Sequence, residues 1–426
     1  MRVLFLTAAL LAIAWQLWLA PYTGLADNGD FAKVIGRYSL GPAQPSEQDT
    51  FHFFIREWKR DPAKIWVSPY WGMEVWLTRV ALLFERAGHF DIRWLGVIHT
   101  LVFGWGLWHL SSLVTRRAWL LGLIAVLAFA DAAYVTYFQS FYFDSAAIVF
   151  GFLFFSAWLR NSLDADRGSQ AAMICGAAGF ALSKGPHAPA MLLIAAIVLL
   201  SRRKHWAGAA LALLCGAGYM LSQTTREYQA TAYYNLAFFK LGPRDEKALD
   251  ALRIRPEDRK LLGTHAFQPT SPAQNSEWLK SFFPEGGYAN ALRYYAANPT
   301  VALSVMWSDL STEAKQIRAE NLGNYERSTG RRYCTLSHSY SLWSDAKSAL
   351  FRAFPAHVFL VAAMGAWVAY RSSLLRPIAL ALLGMGAVEL SIATLADALE
   401  TYRHLLLFHF AYDWIPVLFL GHRYHE

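Results

Sequence analysis

The sequence predicts an all-α polytopic membrane protein, with about ten transmembrane helices and a mainly helical extracytoplasmic domain. Of the 426 residues, 55% are hydrophobic and only 16% are charged, and the mean hydropathy is +0.24. Soluble domains carry about 25% charged residues. Long apolar segments recur along the chain, and Lys or Arg stands at alternate ends of them. These observations exclude a disordered protein, a fibrous protein and an ordinary cytosolic enzyme.

The net charge of +8 is spread over the ends of the apolar segments. Nucleic-acid binding requires a concentrated basic patch, so no nucleic acid is expected as a partner. The three cysteines, Cys175, Cys215 and Cys334, are too few for a disulfide framework.

Ten segments are predicted to span the membrane, since a hydrocarbon core about 30 Å thick needs about 20 apolar residues in a helix. They are Val3–Ala20, Trp94–Leu113, Ala118–Tyr137, Phe141–Leu159, Gln170–Leu182, Ala188–Leu200, His205–Leu221, Phe354–Tyr370, Pro377–Ala396 and Leu405–Leu420. Val3–Ala20 is interpreted as a span and not as a signal peptide, because Pro21 occupies the cleavage point. Tyr70–Gly88 carries four charged residues and is predicted to be an amphipathic helix on the membrane surface.

Basic residues mark every connection on one side of this arrangement, which the positive-inside bias assigns to the cytoplasm. These residues are Arg2, Arg116, Arg117, Arg160, Arg167, Arg202, Arg203, Lys204, Arg371, Arg376 and Arg423. The resulting division is an N-terminal transmembrane region (1–222) with a first outer loop (21–93), an extracytoplasmic domain (223–348) and a C-terminal transmembrane region (349–426). Within the outer domain, Leu249–Leu262 and Tyr288–Ala297 are predicted helices. Outer aromatic residues such as Trp66, Trp71, Tyr233, Tyr234 and Trp278 are interpreted as membrane belt or domain core.

Four clusters of polar residues lie at predicted outer helix ends. They are Asp27-Asn-Gly-Asp30, Tyr142 with Asp144, Lys184 with His187, and Glu400 with Arg403 and His404. Three of them also have a purely structural interpretation: helix capping by Asp27, snorkelling of Lys184, or pairing of Glu400 with His404. Ionisable groups at membrane depth are expensive and usually line a site. Four clusters on one side therefore favour a shared site.

This combination of residue types suits the transfer of a sugar from a lipid phosphate. Arg offers phosphate a bidentate fork and Lys a point charge, so Lys184, His187, Arg403 and His404 are candidate phosphate ligands. An acceptor hydroxyl needs a carboxylate to take its proton, which Asp27 or Asp30 would supply. Negative charge grows on the leaving phosphate, so fixed cations stabilise the transition state more than the ground state.

The order of these motifs resembles the GT-C membrane glycosyltransferases, and more narrowly the bacterial cell-surface glycan hexose transferases of that superfamily. The matching motifs are Asn28-Gly-Asp-Phe31, Phe141-Tyr142, Ser183-Lys184 with His187-Ala-Pro189, and Glu400 with Arg403-His404. The resemblance covers the membrane part between Met1 and His422 and says little about 223–348. It departs after Tyr142, where a Ser-Glu or similar pair is expected and this chain has Phe143-Asp144.

The resemblance implies transfer of a hexose from a polyprenyl-phosphate donor to a cell-surface glycan or a lipid-linked acceptor, by single displacement with inversion. It places the reaction on the periplasmic or exterior face of the bacterial inner membrane, among membrane lipids. It implies two catalytic residues, Asp30 as general base and Asp27 as the second candidate for that role or as a residue that orients the acceptor or the loop. It places Lys184, Arg403 and His404, with His187 as a further candidate, on the donor phosphate. Asp144, Tyr142 and Glu400 would bind sugar hydroxyls or orient the cations.

Two other functions share parts of this pattern. A transporter or flippase for a lipid-linked glycan would also use cations near phosphate, but it would carry charges through the membrane middle; Asp131 and Glu389 lie in outer halves of their spans, and Asp413 is an exception. A glycan polymerase or ligase shares the topology and an outer arginine but does not need the acidic motif after the first span.

Metal binding has two candidate positions in the sequence. Asp164-Ala-Asp166 has the spacing of a metal–nucleotide-sugar site but is interpreted as a solvated inner loop. A divalent ion shared by Asp27 and Asp30 stays open, because two carboxylates without further ligands are poor support for a site. No residue is assigned as a metal ligand.

Overall fold

The computed structural model describes residues 1–43, 47–64, 68 and 70–425. The chain is mostly helical, which confirms the predicted helical class. In chain order the α-helices are α1 Arg2–Trp18, α2 Ala32–Ile35, α3 Glu47–Thr50, α4 Met73–Ala81, α5 Arg93–Ser111, α6 Trp119–Phe129, α7 Ala132–Val135, α8 Phe143–Leu163, α9 Arg167–Ala181, α10 Ala188–Leu200, α11 Ala207–Ser222, α12 Arg226–Tyr234, α13 Ala248–Ala251, α14 Ser276–Phe282, α15 Tyr288–Ala297, α16 Pro299–Thr312, α17 Leu342–Ala353, α18 His357–Arg371, α19 Arg376–Leu395, α20 Thr401–His404 and α21 Leu406–His425. The strands are β1 Leu40–Pro42, β2 Glu57–Arg60 and β3 His89–Asp91.

Each segment predicted as a span coincides with a helix or with helices separated by a short break. By length and apolarity, however, two of the described helices can cross a membrane, α8 and α19. The number rises to five if each of three bent pairs is one span: α6 with Ala132–Gln139, α9 with Gly185–Leu200, and α17 with α18. The predicted count of ten spans is therefore not confirmed, because helices such as α10, with 13 residues, are too short by themselves.

Helix α8 forms the centre of the bundle and is buried along almost its whole length between α5 and α9. Close packing of α8 on α9 depends on glycine. A Cβ on Gly176 would lie 2.6 Å from the backbone nitrogen of Phe154, and one on Gly179 would overlap the ring of Phe150. Small residues at such contacts let membrane helices approach closely. This packing fixes the position of Asp144, in the first turn of α8.

Helix α4 lies within Tyr70–Gly88, the segment predicted to be an amphipathic surface helix, and is shorter than that segment. Its apolar residues Val75, Leu77 and Ala81 are buried against the bundle. Glu74 is buried with them because it forms an ion pair with His99 on α5 (Oε2 to Nε2, 3.1 Å). A buried partner removes the penalty that made a buried Glu74 unexpected from sequence.

A small antiparallel sheet, in the order β1-β2-β3, holds the first outer loop against the start of α8. Trp58 on β2 pairs with Phe90 on β3, and both side chains are buried. The Trp58 ring lies 5.1 Å from that of Phe141, and the Phe31 ring lies 4.8 Å from that of Tyr142. This aromatic cluster anchors the acidic loop beside α8.

The segment 223–348 has a hydrophobic core of its own, built on α12, α14 and α15. Tyr288–Ala297 is helical as predicted. The predicted helix Leu249–Leu262 is instead α13, which ends at Ala251, and the 3₁₀ turn Pro256–Leu261; between them Arg253 has a φ of +58°, which a right-handed helix does not contain. Tyr233 belongs to this core, as interpreted, whereas Trp66 lies outside the described residues.

The rest of 223–348 returns to the first outer loop. Gly24 and Ala26 donate backbone hydrogen bonds to the carbonyls of Asn324 (3.0 Å) and Gly323 (2.9 Å). Arg56 is paired with Glu326 (3.0 Å). The outer segments therefore support each other around the loop that follows α1.

Asp413, which the sequence left without a role, anchors α17 to α21. Its Oδ2 accepts hydrogen bonds from Lys347 Nζ (2.6 Å) and Tyr134 OH (2.6 Å), and its Oδ1 accepts one from Trp343 Nε1 (2.8 Å).

We expect Lys347→Met to destabilise the protein by about 3 kcal/mol, because it leaves the buried carboxylate of Asp413 without its cation. The measurement is thermal unfolding of the purified protein in detergent, with the exposed Arg352→Met on the same helix as control. Equal melting temperatures for the two variants would contradict this role.

Candidate functional site

The loop that follows α1 is folded around Asp27. Its Oδ1 accepts hydrogen bonds from the backbone N–H groups of Gly29 (2.8 Å) and Phe31 (3.0 Å). Gly29 has a φ of +102°, which side chains with a Cβ rarely adopt. The Asp-Asn-Gly sequence thus forms a tight turn that Asp27 stabilises and that brings Asp30 to the wall of a cavity.

Asp30 is held by two cations. Its Oδ1 accepts a hydrogen bond from Lys33 Nζ (2.6 Å), and its Oδ2 accepts one from Arg403 Nη1 (2.8 Å). Lys33 lies on the short helix α2, three residues after Asp30, whereas Arg403 comes from α20 at the other end of the chain. This carboxylate therefore joins the two ends of the transmembrane region.

The two carboxylates of the loop have opposite pKa shifts. Burial raises the pKa of Asp27 to about 6, although the N–H groups of Phe31 and Gly29 act in the other direction. Burial would also raise the pKa of Asp30, but Lys33, Arg403 and Lys184 outweigh it and hold that pKa well below its usual range. Asp30 is therefore ionised at neutral pH, while Asp27 titrates just below neutrality.

Arg403 and Glu400, which precede α21, link their own segment to three others. Asn28 Nδ2 donates to Glu400 Oε2 (2.8 Å), and Asn321 Nδ2 donates to Glu400 Oε1 (2.9 Å). Arg403 Nε lies 3.0 Å from Glu400 Oε2. Tyr142 OH donates to Asn28 Oδ1 (3.1 Å). The acidic loop, the start of α8, the segment around 321 and the loop before α21 are thus tied to one another.

Lys184 lies in the break between α9 and α10 and is bound by Asp144. Its Nζ donates to both carboxylate oxygens of Asp144, at 3.0 and 3.1 Å. His187 is buried on the other side of Asp144, where its Nδ1 contacts Glu389 Oε2 at 3.0 Å. His404 lies apart from these groups, with Nε2 3.3 Å from Asp397 Oδ2; burial lowers the pKa of His404, against the attraction of Asp397.

A cavity of about 410 Å³ adjoins these groups. Its lining residues are Asp30, Lys33, Ser68, Tyr70, Phe143, Asp144, Lys184, Pro186, Gln223, Thr224, Thr225, Glu227, Tyr228 and Thr231. Three predicted site residues, Asp30, Asp144 and Lys184, are among them. Arg403 does not line the cavity, but it donates a hydrogen bond to Asp30, which does. The other predicted site residues, Asp27, Tyr142, His187, Glu400 and His404, are not part of the lining.

Lys33, Tyr70 and Tyr228 are cavity residues that the sequence analysis did not identify. Lys33 had a usable signal, because residues three apart on a helix are neighbours and it follows an acidic motif by that interval. Tyr70 and Tyr228 had none, since they come from two separate outer segments. A second cavity, of about 500 Å³ between α16, α18, α19 and α21, is lined by apolar side chains and Tyr412, and offers no charged groups for chemistry.

The described residues contain no group of three or more His, Cys, Asp or Glu side chains arranged to hold a metal ion. Both oxygens of Asp30 contact cations, and Oδ1 of Asp27 accepts hydrogen bonds from backbone N–H groups. The charged side chains that line the cavity are the cations Lys33 and Lys184 and the carboxylates Asp30, Asp144 and Glu227.

A helical bundle with apolar spans and a charged cavity at helix ends defines an integral membrane protein. The sequence agrees, because residues 1–425 match the model of the YfdI N-terminal transmembrane domain. The chain belongs to that family. No curated protein and no solved structure matches it.

The raised pKa of Asp27 has a consequence for stability. A carboxyl whose pKa is higher in the folded state stabilises the fold when protonated, and this contribution is lost as pH rises through about 6. Asp27→Asn keeps a neutral oxygen acceptor for Gly29 and Phe31, so we expect it to stabilise the protein by about 2 kcal/mol at pH 8. The gain should disappear near pH 4.

The melting temperature of both proteins at the two pH values tests this expectation. Asp27→Ala, which removes the acceptor, should be destabilised at both. A stabilisation by Asp27→Asn that is equal at pH 4 and pH 8 would show that ionisation of Asp27 is not its cause.

Proposed function

We propose that this protein transfers a sugar, of the hexose class, from a polyprenyl-phosphate donor to a cell-surface glycan or lipid-linked acceptor. The observation that carries the proposal is the 410 Å³ cavity, in which the ionised carboxylate of Asp30 and the ammonium groups of Lys33 and Lys184 face one space. A base for an acceptor hydroxyl and cations for a phosphate are the groups that this reaction requires.

The donor phosphate is proposed to bind at Lys184 and Lys33. Lys184 is 12% exposed and is paired with Asp144, so it is available on the cavity side. Lys33 is 31% exposed. Both are flexible point charges that can follow a phosphate as its charge grows. Arg403, which is almost fully buried, holds Asp30 and Glu400 in place and contributes positive potential from behind.

Asp30 is proposed as the base. An acceptor oxygen forms a bond to the anomeric carbon of the sugar, its proton passes to Asp30, and the bond from that carbon to the phosphate oxygen breaks with both electrons leaving on the phosphate. The GT-C resemblance supports a single displacement with inversion. Asp27 shapes the turn that carries Asp30, while Asp144, Tyr142 and Glu400 orient the cations and the loop.

Donor binding also supplies a means to activate Asp30. Without ligand, its two cations make it a weak base. When a phosphate enters, the ammonium of Lys33 has a competing anion within the same cavity. When the ammonium of Lys33 moves from Asp30 to the phosphate, Asp30 loses one of its two cations and becomes a stronger base. The same movement brings a positive charge to the phosphate, which is the leaving group.

The proposed location is the bacterial inner membrane, with the cavity on the periplasmic or exterior side. Two observations support this side. The basic residues predicted to be cytoplasmic lie at the opposite ends of the helices from the cavity, and the cavity adjoins the outer loop and the segment after α11.

Asp30→Asn should lower sugar transfer by at least about 100-fold, since general-base catalysis contributes roughly that much, while donor binding is retained. Lys184→Met should weaken donor binding itself. The assay follows transfer from a panel of polyprenyl-phosphate hexoses to extracted envelope glycolipids, using purified protein in lipid vesicles. Asp61→Asn, in the same outer loop but away from the cavity, is the control and should behave like wild type.

Full activity of Asp30→Asn would overturn the base assignment. Movement of the lipid-linked donor across the vesicle membrane without any sugar transfer would instead support a flippase and contradict the enzyme. Sugar-chain extension that survives Asp30→Asn but needs Arg403 would favour a polymerase or ligase.

A further inference from the structure

Four buried or half-buried ionisable side chains form a chain behind the cavity. Glu389 on α19 contacts His187 Nδ1 (Oε2, 3.0 Å), and His187 Nε2 lies 3.7 Å from Asp144 Oδ1. Asp144 in turn holds Lys184. Glu389 and His187 are 2% and 5% exposed, and only the Asp144–Lys184 end of the chain reaches the cavity.

The chain has a defined charge pattern. An unpaired carboxylate is very costly to bury, so Glu389 requires a positive partner. An imidazole between two carboxylates takes up a proton, because both neighbours favour its charged form. The order is therefore carboxylate, imidazolium, carboxylate, ammonium. Besides these groups, Arg403 and His404 on α20 and Glu74 on α4 are near enough to act electrostatically on Asp144 or Lys184.

The hydrogen bond between His187 and Asp144 is missing from this series of side chains. His187 Nε2 is buried and has no hydrogen-bond partner, and 3.7 Å is too long for one to Asp144. Asp144 has both oxygens engaged by Lys184. A small movement of His187 would complete the missing hydrogen bond if Lys184 left Asp144.

We propose that Glu389 and His187 are positioning residues that release Lys184 for the donor phosphate. When Lys184 turns to the phosphate, the imidazolium takes its place at Asp144, so that this buried carboxylate never loses a cationic partner. Glu389 keeps the imidazole protonated. Without the pair, Lys184 can bind phosphate only by leaving Asp144 unpaired, which weakens binding. The phosphate's identity as the sugar donor rests on the proposed function.

The protein provides a matched control elsewhere in the bundle. Glu74 and His99 form a second buried carboxylate–imidazole pair, at 3.1 Å, but His99 Nδ1 bonds to the Phe138 carbonyl and not to Asp144. Glu74→Gln therefore tests the general effect of neutralising such a pair, and Glu389→Gln tests the effect on Lys184.

The experiment measures binding of farnesyl phosphate to the purified protein in detergent at pH 8 and pH 6, with farnesol as the probe without phosphate. We expect Glu389→Gln and His187→Gln to bind farnesyl phosphate about tenfold more weakly than wild type at pH 8, the weight of one charge-assisted hydrogen bond. At pH 6, Glu389→Gln should recover, because Asp144 alone then keeps the imidazole protonated, whereas His187→Gln should not. Glu74→Gln should bind like wild type at both pH values, and farnesol binding should not change.

Wild-type affinity in folded Glu389→Gln and His187→Gln at both pH values would overturn the proposal, as would an equal loss in Glu74→Gln. If Glu389→Gln does not fold, His187→Gln decides by itself: a loss at both pH values supports the proposal, and wild-type affinity overturns it. Lys184→Met distinguishes failure of the proposed function from failure of the role given to Glu389 and His187. If it binds farnesyl phosphate as wild type does, the phosphate site of the proposed function fails as well; if it loses binding while Glu389→Gln and His187→Gln do not, only the role of the pair fails.

Discussion

The structure depends on one constraint: an ionisable group buried at membrane depth must be paired. Removing such a group from water costs several kcal/mol, and only a close partner offsets this cost. In this protein the partners come from distant segments. Asp30 meets Arg403 across 373 residues of chain, and His187 meets Glu389 across 202. The helix ends around the cavity are therefore held together by the same charges that face it.

A cavity built from ion pairs can respond to a charged ligand by exchanging partners. Lys33 and Lys184 each have a carboxylate partner and each line the cavity. In the proposed reaction, a donor phosphate would compete for both cations, and it would compete more strongly as its charge grows during bond breaking. Under that proposal, the exchange of partners would stabilise the transition state more than the ground state.

Much of the helical framework follows from the sequence because hydropathy is a local property, and helix content and helix positions were predicted on that basis. The errors have both local and distant causes. The backbone leaves the helical conformation at Arg253, inside a predicted helix, whereas the partner of Glu74, His99, lies on another helix and cannot be seen from the segment around Glu74. The three short strands gave no alternation long enough to detect. The candidate site was only partly predictable for the same reason. The sequence indicates which charged residues lie at outer helix ends, but which carboxylate meets which cation depends on the folding of the loops between them.

Asp27 and Asp30 show how the same side chain, three residues apart, acquires two properties. Burial disfavours the ionised form of Asp27 more than the backbone N–H groups of its turn favour it, so its pKa rises to about 6. Asp30 faces Lys33 and Arg403, which stabilise the charge. By pKa alone Asp27 would suit a general base near neutral pH better than Asp30. The proposed reaction gives that role to Asp30, because Asp30 lines the cavity while Asp27 Oδ1 is occupied by the turn. In that proposal Arg403 stays on Asp30, and the movement of Lys33 to the donor phosphate is what raises the proton affinity of the carboxylate.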